Sequence, residues 1–236
     1  MNNHYTTALD QALTWIDENF KTVGVIVSGS IIRGKPDDNS DFDIYIIHDG
    51  SFRQRLQKFF NGVPCEIFVN NPGHIYGYFE SELKNNRPVT ASILATGKVF
   101  KGNDNPDIQK LLAKAKEFAS KSPERTEQQN VLTRYCIANL YEDATDLLEI
   151  DEITAAYFLD RTVLECIDFT FLLHGNPLPR AKERINQLLI IQPEVGRLVK
   201  NYYQCSGAKE KHKIAGQVMI ILIGKTGFFE WSTLPE

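Results

Sequence analysis

The segment that most restricts what this chain can fold into is VIVSGSIIRGKPDDNSDFDIYII, residues 25–47. An apolar run ends in Gly29-Ser30, ten residues follow, and Asp41-Phe42-Asp43 opens a second apolar run. Alternation along a strand puts Asp41, Asp43 and Tyr45 on one face and Phe42, Ile44 and Ile46 on the other. Two carboxylates at the head of an apolar strand repel each other and are costly to bury. A divalent cation removes that cost, because hard Mg²⁺ prefers oxygen ligands and shares them with substrate phosphates. The Gly-Ser turn complements it: glycine permits close approach, and backbone N–H groups with a hydroxyl suit phosphate oxygens. A third acid, Glu66, lies in the run Pro64–Val69, where a lone charge beside Cys65, Ile67 and Phe68 is poor strand chemistry unless it faces a site. Each feature alone also occurs in ordinary surface turns or half-exposed strands. Their combination points to metal and phosphate.

The chain around this segment divides by pattern. Apolar positions at helical spacing cover residues 4–20. Strand-like runs follow at Val23–Val27, Phe42–Ile47, Glu66–Val69 and Lys98–Phe100. A helix is expected across Phe52–Phe60 and another near 88–96, ending at Gly97. After KGNDNPD only helices are expected, at 107–120, 127–149, 152–174, 179–190, 193–204 and 208–223. Strands first and helices afterwards predict an α+β fold: an α+β unit over residues 1–104, then an all-α bundle over 105–236.

Composition narrows the classes. Lys and Arg number 26 against 30 Asp and Glu, for a net charge of −4. Neither half is basic, with 10 basic and 12 acidic residues up to 105 and 16 and 18 beyond, so a nucleic-acid partner is disfavoured. The longest wholly apolar stretch, Val218–Ile223, is far below the ~20 residues that span a bilayer, so no membrane role is expected. Four dispersed cysteines without a CxxC pair, and a start without a basic-then-apolar leader pattern, predict a reduced cytoplasmic protein. No HExxH, Cys/His pattern, GxSxG or Walker A sequence occurs, which disfavours zinc, hydrolase and P-loop chemistry.

GS-x10-D-x-D followed by an acid on the next strand resembles the DNA polymerase β-type nucleotidyltransferase superfamily. GSIIRGKPDDNSDFDIYII is particularly similar to its minimal and aminoglycoside-type members, through Gly29, Ser30, Arg33, Gly34, Ser40, Asp41 and Asp43. ILATGKVFKGND, residues 93–104, resembles the helix–Gly–strand step that closes that catalytic domain, and the resemblance implies a mixed sheet with flanking helices for residues 1–104. The resemblance implies transfer of a nucleoside monophosphate, AMP from ATP, to a hydroxyl of a small aminoglycoside- or lincosamide-like acceptor, releasing pyrophosphate. Asp41, Asp43 and Glu66 would hold two Mg²⁺ ions, with Glu66 as ligand or as base. Gly29, Ser30, Arg33 and Ser40 would hold the triphosphate, with Lys35 and Lys98 as further cations.

The helical half would then shape the acceptor pocket. Glu142, Asp146 and Glu149 share a helix face, either toward a cationic acceptor or toward solvent. Arg180, Lys182 and Arg184 are read as the charged first turns of a surface helix. Two alternatives stay open. One is AMPylation of a helical partner protein, as minimal members do in toxin–antitoxin pairs; the other is a non-catalytic nucleotide-binding module. A homodimer completing the site is also open.

Overall fold

The computed structural model describes residues 2–228 and 230–232. It separates into two compact units, Met1–Lys121 and Ser122–Glu236.

In the first unit, Asn2 caps α1 (Asn3–Asn19) by accepting from the His4 N–H, and one stripe of this helix, Ala8, Leu9, Ala12 and Ile16, is buried. Five strands follow: β1 (Gly24–Ser28), β2 (Phe42–Ile47), β3 (Gln54–Phe60), β4 (Val63–Asn70) and β5 (Lys98–Lys101). They pair in the order β3-β4-β2-β1-β5, with β2 and β4 parallel and the other neighbours antiparallel. The sheet is mixed, as expected. The period of two sorts its side chains onto two cores. Val25, Val27, Ile44, Ile46, Ile67 and Val69 meet α1 on one face. Ile26, Tyr45 and Ile47 meet α2 (Pro72–Lys84), α3 (Val89–Thr96) and α4 (Pro106–Ala119) on the other.

Two expectations are corrected here. Phe52–Phe60 is not a helix; residues 54–60 form β3. Phe52, Leu56, Phe59 and Phe60 mimic helical spacing, but Asn61 and Gly62 both have positive φ, 46° and 75°. They form a two-residue hairpin turn that pairs Phe60 with Val63. The second correction is α2, a helix where none was expected. Asn71 caps it, its side chain accepting the His74 N–H at 2.9 Å, and Pro72 occupies the first turn, where a missing N–H costs nothing.

The second unit contains only helices among its described residues: α5 (Glu127–Leu147), α6 (Glu152–Leu173), a 3-10 turn at Ala181–Glu183, α7 (Arg184–Ile191), α8 (Pro193–Gln204) and α9 (Ala208–Ile223). Its own core gathers Ala138, Leu159, Val163, Cys166, Phe169, Val199, Tyr202 and Met219. The change of pattern at 104/105 is not where the units part. Ile108, Leu111, Ala115 and Phe118 of α4 are buried in the first unit's core, so that helix stays with the sheet. The four cysteines are free thiols. Among the described residues, no helix is long and apolar enough to cross a membrane.

Candidate metal and phosphate site

The site starts at Gly29. Its φ is +109°, and a Cβ there would lie 2.5 Å from the carbonyl oxygen of Asp41. Only glycine lets the chain leaving β1 lie against the residue that leads into β2. The following residues wind back on themselves: the N–H of Arg33 donates to the Gly29 carbonyl at 3.2 Å and that of Lys35 to the Ser30 carbonyl at 3.0 Å. The far end of the loop is tied by hydroxyls. Ser30 Oγ donates to Ser40 Oγ at 2.6 Å, and Ser40 Oγ donates to Asp37 Oδ1 at 2.9 Å while accepting the Asp37 N–H at 2.7 Å. Ser40 is buried, so its expected phosphate role meets a hydroxyl already engaged inside the loop.

The carboxylates converge. β1 and β2 put Ser28 opposite Asp43, and the parallel β2–β4 pair puts Asp43 beside Glu66. One oxygen from each of Asp41, Asp43 and Glu66 lies within 4.8 Å of the others, and all three residues are half-buried. The donor set is all hard oxygen, with three like charges in a small volume. It fits a cation such as Mg²⁺ or Mn²⁺ and disfavours soft metals. Repulsion among the three acids is the physical motive for that cation.

The surrounding groups are firmly held. Ser28, buried, is 3.2 Å from Thr96 Oγ1 at the end of α3. The Tyr45 hydroxyl donates to Thr90 Oγ1 at 3.2 Å, and burial pushes its pKa upward, so it stays a neutral phenol. Glu82 caps α3, both its oxygens accepting from the Thr90 N–H at 3.0 and 2.8 Å, and burial raises its pKa. Cys65 follows suit: burial, then the charge of Asp41, pushes the thiol up to about 12, so it is not a nucleophile at neutral pH.

Two side chains next to Glu66 escaped the sequence reading. Arg55 and Gln57 stand on β3, both donating to Glu66 Oε1: Arg55 Nε at 2.9 Å, Arg55 Nη2 closer, and Gln57 Nε2 at 3.5 Å. The helix expected over this stretch hid them, while Asn61-Gly62 was the signal that would have revealed a strand. Lys35 and Lys98 are exposed and Arg33 half-buried.

The other sequence candidates belong to the second unit. Glu149 pairs with Lys209 at 2.7 Å and Arg184 with Asp168 at 3.0 Å. Such contacts are those of ordinary helix surfaces. Tyr141, Phe169 and Phe171 are buried in the core, whereas Tyr157 and Tyr135 are exposed.

The family model for the nucleotidyltransferase domain matches residues 9–166, which takes in the first unit from the middle of α1 onward and continues through α5 into α6. No curated protein matches significantly. Among solved structures, the chain is similar to a nucleotidyltransferase-like protein from Exiguobacterium sibiricum 255-15. The TM-score is 0.54 at 15% identity, over 92% of this chain and 73% of that one. At that identity the likeness is one of fold.

Proposed function

This chain belongs to the nucleotidyltransferase domain family, and from that premise we propose that it moves AMP from ATP to a hydroxyl of a small-molecule acceptor, aminoglycoside- or lincosamide-like, with pyrophosphate leaving. Nucleotidyl transfer follows from the family. The acceptor, the nucleotide and the residues rest on the argument below.

The observation that carries the reading is the meeting of Asp41, Asp43 and Glu66 beside the Gly29-Ser30 bend. The acceptor oxygen forms a bond to the α-phosphorus, the bond from that phosphorus to the bridging oxygen breaks, and the hydroxyl proton departs to a base. Asp41, Asp43 and Glu66 would hold two Mg²⁺ ions, which when bound supply positive charge to the entering and leaving oxygens. Gly29 lets the backbone leaving β1 close against Asp41, which brings the bend beside the acids. Ser30, Arg33 and Ser40 form the loop against which the triphosphate would rest, Arg33 offering a cation and Ser30 a hydroxyl whose O–H would turn from Ser40 to donate to a phosphate oxygen. Position and preorganised charge would supply most of the rate. The four free thiols fit the reducing conditions of a cytoplasmic enzyme.

The test is to incubate the protein and Mg²⁺ with each labelled nucleoside triphosphate. The acceptors are a panel of aminoglycosides and lincosamides, then cell lysate. Label from ATP on a small molecule is the expected result. Label on a protein band instead overturns the acceptor, and no label with nucleotide still bound overturns the transfer.

A further inference from the structure

We propose that Arg55 is a positioning residue for the metal site: it anchors one oxygen of Glu66 so that the other is left to ligate the cation. This rests on the metal reading of Asp41, Asp43 and Glu66 given above.

The placement begins with the hairpin. The Asn61-Gly62 turn sets a register in which Gln57 lies opposite Glu66 and Arg55 opposite Phe68. Residues two apart on a strand share a face, so Arg55 and Gln57 stand on the side from which Glu66 projects. The Arg55 guanidinium carbon lies 5.1 Å from the centre of the Phe68 ring. Phe68 is stacked at 4.8 Å on Tyr45, a buried side chain held by Thr90. A flexible arginine on an edge strand is thus seated on a fixed aromatic pair.

What it does there is specific to one atom. Both Arg55 N–H groups and the Gln57 amide converge on Oε1 of Glu66, and no described residue donates to Oε2. A carboxylate with three donors on one oxygen cannot turn without losing them. Glu66, 18% exposed, would otherwise relax toward water and away from two like charges. Hydrogen bonds of this kind to metal-ligating carboxylates typically change metal affinity by about 10–100-fold. An opposing effect exists, since a nearby guanidinium repels a cation. The two predict opposite signs, which makes the proposal decidable.

The experiment is an electron paramagnetic resonance titration of Mn²⁺ into the full chain with α,β-methylene-ATP, a nucleotide that cannot be split. Melting curves establish that each variant is folded, which the 66% exposure of Arg55 favours. Arg55→Met should weaken Mn²⁺ binding about tenfold or more. Arg55→Lys, which keeps the charge but not the fork, should also weaken it. Lys58→Met removes an equal charge from the same strand and should change little, because Lys58 lies over Trp15. Glu66→Gln should weaken binding too, and adding Arg55→Met to it should cost nothing further. Unchanged or tighter binding in Arg55→Met and Arg55→Lys, or losses that add to that of Glu66→Gln, would overturn the proposal while the metal site stood. If wild type and Asp43→Asn bind Mn²⁺ alike, the metal reading itself fails and this inference with it.

Discussion

One group of acids in the first unit is arranged unlike the acids of the second. In the first, Asp41, Asp43 and Glu66 are crowded within 4.8 Å where the start of β2 lies beside the middle of β4. Two unit charges at that distance repel by about 1 to 3.5 kcal/mol, from water-like to protein-like effective dielectric. In the second, acids on α6 and in the turn after α5 stand against bases: Asp160 with Lys211, Asp168 with Arg184, Glu149 with Lys209. Folding alone would not select the first arrangement, because it stores repulsion that the bound state must relieve. It would tolerate the second anywhere. On the function proposed above, Asp41, Asp43 and Glu66 serve chemistry, while Glu149, Asp160 and Asp168 serve packing and solvation.

The strongest attempt to break this contrast is Asp43→Asn. Transfer should fall by on the order of 10³-fold or more, the loss of several kcal/mol of transition-state stabilisation. The melting temperature should stay level or rise, since one repulsive charge is gone. Steady-state kinetics beside a thermal melt decide it, and transfer at the wild-type rate would refute the site.

Gly29→Ala tests whether the site is also under backbone constraint. A Cβ 2.5 Å from the Asp41 oxygen, at φ +109°, should cost about 2–3 kcal/mol in urea denaturation and lower transfer by displacing Asp41. Next comes an acid of the helical unit. Asp160 accepts from the buried Tyr202 hydroxyl at 2.8 Å, so Asp160→Ala should cost about 1–2 kcal/mol while transfer per folded molecule is unchanged. Opposite outcomes for Asp43 and Asp160 would sharpen the comparison; similar ones would dissolve it.

A smaller effect concerns His212, which stacks on Tyr141 at 4.6 Å and sits 2.8 Å from Thr145 Oγ1. Burial lowers its pKa below the ordinary 6.5. A group held neutral in this way contributes stability above 6.5 that is lost as pH falls through its lower, folded value. Wild type should therefore lose more stability than His212→Gln between about pH 7.5 and about pH 5, measured as urea midpoints. Lys209→Ala should do least of all, with no measurable change in melting temperature, because its partner Glu149 is as exposed as it is.

Much of the site was legible because it rests on local chemistry. Gly29 must be glycine where the chain approaches itself, and alternation assigns Asp43 and Tyr45 to one face whatever the rest of the sheet does. β3 was misread because Phe52, Leu56, Phe59 and Phe60 satisfy helical spacing, and the choice was made by pairing with β4 through the Asn61-Gly62 turn. With β3 went Arg55 and Gln57, whose importance comes only from the strand they face. α2 was overlooked for the reverse reason: Pro72, Gly73 and Gly77 suggest a loop, while the Asn71 cap and the burial of Ile75 and Phe79 stabilise a helix.

By itself the sequence determined the division into a strand-bearing part and a helical part, the glycine bend and which face of β2 carries acid, since these depend on sterics and periods that act over a few residues. Three matters needed the folded chain: the parallel pairing that sets Glu66 beside Asp43, the allegiance of α4 to the sheet, and the arginine seated on Phe68. Contacts between distant segments are chosen by the burial and register of the whole sheet, and no local pattern encodes them.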